Sequence, residues 1–390
     1  MKHAKTKKPC ITLTFITLSI AALLTFGLMG RNSANANSGL NLSNASVSSS
    51  SVKNASSQDT DFASQSSGIV LPKTSIYALN ANNAIFVLPP GATSFSRLGR
   101  VTTTNGNLIG IDFRVSDGRL YAVTDTGSLY TIGLTSSRLG AATLVSNLTP
   151  RFAGGVQSLM DFNPVLDAIR LIGSNDQNFA VVNSGGNLNA TAVQTATSYM
   201  AGDVNAGADP NICAGSYTNN YVGATTTLFY GIDFDLDTFV TIQPATPGGS
   251  SATGGGKLQT IGRLVTPSGA MINVAPTTDI DIYSDGNGGN SVIGVSGRTL
   301  FTIDLSQINP NLALGTTQKV VARGITMPDD GGAFIDIAVK PVATTPAPTA
   351  TPTPKPAPKP TATPAPKPTP TPTPTPKPMP TPTPKHRRHK

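Results

Sequence analysis

The chain has 390 residues, with 38 Gly, 32 Pro, no Trp, three His, two Cys and a formal charge of +8. That charge belongs to the ends: residues 37–340 hold 15 Lys/Arg against all 20 acids, every one an Asp, which excludes a basic nucleic-acid-binding core. His3, His386 and His389 also lie outside this stretch, which therefore has no imidazole, no Glu and one thiol, Cys213.

Residues 1–36 read as an export signal. Four lysines and His3 precede an uncharged, mostly apolar run from Ile11 to Met29, and Ala34-Asn35-Ala36 has the small-x-small form that signal peptidase cuts. The run of 19 residues also suffices to span a bilayer, so the segment is either a cleaved signal or an uncleaved anchor. Either way the remainder is expected outside the cell or at its envelope. Cleavage would leave Cys213 as the only thiol and exclude an intrachain disulfide. Residues 37–73, dominated by Ser, Asn and Ala, hold too few apolar side chains to offset chain entropy and read as a disordered linker.

From residue 74 to 340 the apolar period is 2, and the segments are rich in Val, Ile, Thr, Tyr and Phe and separated by Gly, Asn and Asp. An all-β domain follows. Five apolar quartet pairs repeat along it, starting at Ile76, Leu120, Ala168, Phe229 and Val292, which are 44, 48, 61 and 63 residues apart. That is the period of a propeller blade, lengthened by insertions such as Pro247 to Gly256. An outer strand follows each hairpin: Phe95 to Val101, Ala142 to Val145, Thr191 to Gln194, Lys257 to Arg263 and Lys319 to Arg323. An inner strand precedes four of them: Leu108 to Phe113, Ser158 to Phe162, Ile212 to Thr218 and Asp279 to Tyr283. The first hairpin lacks one, and the unused segment Phe334 to Val339 predicts a β-propeller of five four-stranded blades, closed by the C-terminal strand pairing with the N-terminal hairpin. A two-sheet sandwich and a six-bladed count are the alternatives.

Residues 341–390 hold 19 of the 32 prolines, alternating with Thr, Ala and Lys. Such a tail favours polyproline II over a packed fold and would reach roughly 150 Å. It ends in Lys385-His386-Arg387-Arg388-His389-Lys390, a cationic tip suited to an anionic surface, or simply a solubilising end.

Gly110-Ile111-Asp112-Phe113-Arg114 with Gly118-Arg119-Leu120-Tyr121-Ala122, then Met160-Asp161-Phe162-Asn163-Pro164 with Ile169-Arg170, resembles the exported bacterial domain of unknown function numbered 4394. Tyr217-Thr218-Asn219-Asn220, Gly223-Ala224-Thr225 and Leu228-Phe229-Tyr230-Gly231-Ile232-Asp233 extend the likeness over roughly residues 74–340. The resemblance implies a secreted, propeller-like protein without an established activity. The Pro-Thr-Lys tail and the insertion before Lys257 depart from it.

The residue inventory limits the chemistry. Without His in the domain, Ser-His-Asp and Cys-His catalysis are excluded, and zinc or copper sites lack their usual ligands. No phosphate loop opens a helix. Paired carboxylates for glycoside chemistry would both have to be Asp. Asp112, Asp161, Asp281 and Asp336 occupy matching places on four expected inner strands and should form a ring around the hub. Such a ring could bind a cation such as calcium or a polar ligand, or each Asp could accept hydrogen bonds from the next blade. The turn Tyr217 to Tyr221, with Tyr217, Asn219 and Asn220, offers phenols and amides of the kind that bind sugars, or serves as an ordinary Asn-rich turn. The oxygen-rich segments Asp233 to Asp237 and Asp281 to Asn290 lack calcium-hand spacing and read as hairpin turns.

The function expected is a non-catalytic binding or scaffold module, monomeric, with no required cofactor, calcium being the one candidate. Its partner would be an extracellular glycan or envelope polymer and not nucleic acid. The alternatives are an Asp-dependent, calcium-assisted glycan hydrolase or lyase, and a purely structural extracellular protein.

Overall fold

The computed structural model describes residues 69–342 apart from 136, 156, 185–186, 243–254 and 329–332, with a few isolated positions between 371 and 379. The expected export segment 1–36, most of the 37–73 linker, residues 247–254 of the insertion and nearly all of the 341–390 tail lie outside the described residues.

Strand follows strand, and one 3-10 turn, Leu305–Gln307, is the only helical element among the described residues. None of them forms a helix long and apolar enough to cross a membrane. Local chemistry sets the hairpins. Strands β1 (Ile76–Asn80) and β2 (Ala84–Leu88) are joined by a turn in which Asn80 Oδ1 accepts the N–H groups of Asn82 and Ala84, each at 3.0 Å, while Asn83 takes φ 58°. Asn tolerates that left-handed conformation better than most residues. Strands β5 (Leu120–Thr124) and β6 (Ser128–Ile132) turn through Gly127 at φ 76°.

Three sheets have four strands each. In the first the order is β21 (Phe334–Val339), β1, β2 and β3 (Ser96–Arg100); in the second, β4 (Leu108–Phe113), β5, β6 and β7 (Ala142–Asn147). The third contains β8 (Ser158–Asn163), β9 (Ala168–Gly173), β10 (Asn178–Ser184) and β11 (Asn187–Val193). A fourth, composite sheet joins two antiparallel quartets. One is β13 (Ile212–Tyr217), β14 (Phe229–Asp233), β15 (Thr238–Ile242) and β16 (Lys257–Val265). The other is β17 (Asp279–Ser284), β18 (Asn290–Ser296), β19 (Thr299–Asp304) and β20 (Val320–Thr326). Their link is a two-residue parallel pairing, Leu264 with Val320 and Val265 with Val321, and the short β12 (Ser198–Tyr199) pairs with β16.

The C-terminal strand lies beside the first one. Strand β21 runs antiparallel to β1 with Ile76 opposite Val339 and Leu79 opposite Asp336, and Thr74 Oγ1 donates to the Lys340 carbonyl at 2.8 Å. Strand β11 starts four residues earlier than the apolar pattern implies, because Leu188 and Asn187 pair with Asn183 and Ser184 beyond a register shift after Val182 that leaves Asn189 unpaired in the ladder.

The first strand of each quartet touches its counterparts in two others: β4 packs on β8, β8 on β13, β13 on β17, β17 on β21, and β21 on β4. Five hydrophobic clusters fill the spaces between successive quartets, the last placing Ile293, Val295 and Leu300 against Phe86 and Phe334. Edge-to-face aromatic pairs cross two of these seams: Tyr77 with Phe113 and Tyr121 with Phe162, each with ring centroids 5.2 Å apart. Such pairs contribute roughly 0.5–1.5 kcal/mol beyond their buried area. Gly294, directly opposite Phe301, leaves room for that ring; a Cβ there would fall 2.3 Å from it.

Candidate functional site

Alternation puts Asp112, Asp161, Asp281 and Asp336 on the faces of β4, β8, β17 and β21 that look away from the neighbouring apolar residues, and the tertiary contacts bring them together. All four are buried, the most exposed at 2%. Each accepts a backbone N–H from the adjoining first strand. Asp336 Oδ1 takes Ile111 N–H at 3.0 Å, Asp112 Oδ2 takes Phe162 N–H at 2.6 Å, Asp161 Oδ1 takes Tyr217 N–H at 3.0 Å, and Asp281 Oδ2 takes Val339 N–H at 2.6 Å.

The fifth place is filled by a residue that the sequence reading overlooked. Ser216 on β13 accepts the Ile282 N–H at 3.0 Å and donates to Asp281 Oδ1 at 3.0 Å, so a hydroxyl stands where the other quartets have a carboxylate. The available signal was a small polar residue followed by an aromatic, Ser216-Tyr217, matching Asp112-Phe113 and Asp161-Phe162. Asp279 was also missed, although its i−2 spacing from Asp281 puts both on one face. It accepts the Ile337 N–H at 3.0 Å.

These carboxylates crowd one another. Burial pushes Asp112 up, the Asp281 charge adds to that, and the N–H groups of Phe162 and Phe113 oppose it. Asp161 is raised by burial and then by Asp112 and Asp281; Asp336 by burial and then by Asp279. Burial also raises Asp279 and Asp281 against the hydrogen bonds they accept. Oxygens of Asp112, Asp161 and Asp281 lie within 4.8 Å of one another, a spacing in which a hard cation could sit. The Asp336 Oδ2 is buried with no hydrogen-bond partner. A polymeric glycan cannot reach carboxylates this deeply enclosed.

The other candidates separate. Tyr217 is 1% exposed, its hydroxyl accepting from Arg170 Nε at 3.1 Å, so its phenol is spent inside the fold. Asn220 is buried as well, with its N–H on Ser284 Oγ at 3.1 Å and its Oδ1 lacking a partner. Asn219, at φ 59°, faces a cleft of about 740 Å³ that also takes in Tyr230, Tyr283, Asp285, Asn290 and Asp304. Asn219 and Asn290 clasp each other: Asn219 N–H donates to Asn290 Oδ1 at 2.8 Å and Asn290 Nδ2 to Asn219 Oδ1 at 3.0 Å. Tyr230 stacks on Phe239 at 5.2 Å and 7°, and burial alone pushes its phenol up to about 12. Among the described residues, no basic side chain lines the cleft.

Asp233 and Asp285 serve their turns. Asp233 Oδ1 accepts from the N–H groups of Asp235 and Leu236 while its Oδ2 accepts from Tyr199; Asp285 Oδ1 accepts from Asn287 and Gly289. Cys213 is buried on β13, where burial pushes its thiol up.

Four-stranded antiparallel sheets gathered on a hub of carboxylates define an all-β, propeller-like protein. The chain belongs to the family described as Domain of unknown function (DUF4394), whose model matches residues 74–323. No curated protein matches it in sequence. Among solved structures it is similar to a structural genomics protein of unknown function from Bacteroides thetaiotaomicron, at 12% identity over 75% of this chain and 70% of that one, with a TM-score of 0.39. The β-propeller domain of Cps50 (Swd1) from Myceliophteria thermophila matches at 10% identity, 67% and 74% coverage and a TM-score of 0.33. YCF48 bound to D1 peptide matches at 10% identity, 70% and 75% coverage and a TM-score of 0.29.

Proposed function

We propose that the five quartets are the blades of one closed propeller, exported and held at the cell envelope, and that this disc is a non-catalytic binding module for a neutral segment of an extracellular glycan. The cyclic order of first-strand contacts and the β1–β21 pairing support five closed blades. The 1–36 segment supports export, and the proline-rich tail with its cationic tip supports retention near an anionic surface.

The cleft beside Asn219 carries the ligand assignment. Its described wall combines amides, carboxylates and two tyrosines with no cation among the described residues, which suits hydroxyl-rich, uncharged ligands and repels phosphate or sulfate. Tyr230, 3% exposed, borders the cleft and has a hydroxyl that no described residue hydrogen-bonds, unlike that of Tyr217.

The test is calorimetric titration of the purified chain against neutral and acidic oligosaccharides. Neutral ligands should bind, and Tyr230→Phe should weaken binding roughly 5- to 10-fold, the effect of one lost hydrogen bond, without shifting the melting temperature. Binding that ignores Tyr230→Phe, or that prefers acidic sugars, would overturn the assignment. Cleavage of the sugars would return the protein to the hydrolase or lyase class.

A further inference from the structure

A second cleft, of about 730 Å³, adjoins the first at Asp304 and Ile308 and differs from it in carrying two cations, Lys319 and Arg323. We infer that it seats Asp59, Asp61 and Phe62 of this chain's own N-terminal linker.

The chemistry of the cleft defines its occupant. Lys319, Val321 and Arg323 occupy alternate positions leading into and along β20, so they share one face. All three are exposed, and Val70 at the rim is 77% exposed. Among the described residues neither cation has an ion-pair partner. The one acid on the described wall, Asp304, is engaged in capping the 3-10 turn, its Oδ1 accepting from Ser306 N–H at 2.9 Å and from Ser306 Oγ at 2.7 Å. Two unanswered positive charges beside exposed valines suit a segment that brings carboxylates and an apolar ring together.

Position and sequence single out the linker. At four seams the outer strands of successive quartets meet: Thr102 beyond β3 bridges Ala141 before β7, β7 packs on β11, β12 just after β11 pairs with β16, and β16 pairs with β20. At the fifth, no pairing joins β20 to β3 among the described residues. The chain enters the domain there, with Leu71 packed on the cluster of Phe86, Ile293 and Phe334 and Val70 on the cleft itself. Residues 37–68 contain two acids, Asp59 and Asp61, and one aromatic, Phe62, all within four positions. The eight residues from Phe62 to Val70 reach up to roughly 26–29 Å, ample for a return to the cleft. Phe62 supplies the ring for Val321 and Ile308, and Asp59 and Asp61 supply carboxylates for Lys319 and Arg323.

The experiment uses the full chain carrying Phe62→Trp, whose indole is then the only one in the protein. Its fluorescence should lie at shorter wavelength, and resist acrylamide quenching severalfold better, than in the same chain with Lys319→Glu and Arg323→Glu. Both cations are exposed, so that double variant should fold, as a cooperative melt will verify. Adding Asp59→Lys and Asp61→Lys to it should recover the protection, a reversal that general loosening of the domain would not produce. Raised salt should weaken the protection in the parent, as it does for surface charges. An indole quenched equally with and without the charge reversal would overturn the assignment. Protection that grows with protein concentration and accompanies a dimer in light scattering would overturn it too, by placing the segment on a second copy. Neither result bears on Tyr230 and the glycan.

Discussion

Asp167 illustrates how one side chain joins two sheets. It sits in the β8–β9 turn at φ 50° and receives Arg114 from the end of β4, Nε at 2.8 Å to Oδ1 with NH2 on Oδ2, while Ser116 Oγ donates at 2.8 Å. Burial acts to raise its pKa, but the Arg114 and Ser116 hydrogen bonds outweigh that and hold it below the usual carboxylate range. A depressed pKa means stability present above the unfolded value of about 3.9 and lost as the pH falls through the folded one. The side chain is 34% exposed, so solvent weakens the pair. Asp167→Asn should cost about 0.5–1 kcal/mol at pH 7, and the difference from wild type should shrink toward zero near pH 3, as read by urea unfolding at both pH values. A difference independent of pH would show that the charge is irrelevant.

Strand β21 is the element on which the first quartet depends. Phe334 is 2% exposed and packs on Phe86 and Phe95 with centroids at 5.3 and 4.8 Å, while the rest of the strand supplies the β1 ladder. Phe334→Ala should cost about 3–5 kcal/mol of unfolding free energy, the usual penalty for emptying an enclosed aromatic site. Ending the chain before Phe334 should do more: it bares the β1 edge and removes Asp336, so the product should aggregate in light scattering. A monomeric, cooperatively melting truncation would contradict the place given to β21. Much of this element structure was legible beforehand, because period-2 apolar runs and Asn, Asp or Gly turns are local signals. Leu108 to Phe113 and Phe334 to Val339 match their observed strands end to end. The β10–β11 hairpin was less legible, since Asn187 is a poor strand former kept in place by its pairing with Ser184, and Asn189 falls at the register shift.

For the molecule as a whole, the proposed tethering role predicts that the C-terminal segment and the β domain act separably. A chain ending at Val342 keeps every described strand, so its melting temperature should equal that of the full chain, while its association with the producing cells should fall severalfold in salt-sensitive fashion, as expected for a cationic tether. Equal cell association by both forms would refute the tethering role.

What the amino-acid sequence determined alone was whatever depends on near neighbours or on inventory: the all-β class, the strand sites, the hub-facing aspartates and the absence of imidazole chemistry from the domain. Tertiary structure decided how these met. Only the packing of β13 between β8 and β17 gave Ser216 the fifth hub position, turned Tyr217 inward to Arg170, and left Asn219 on a cleft with Tyr230 and Asn290. A residue's period tells which face it occupies. What that face meets depends on partners 50 or more residues away, whose approach no local pattern records.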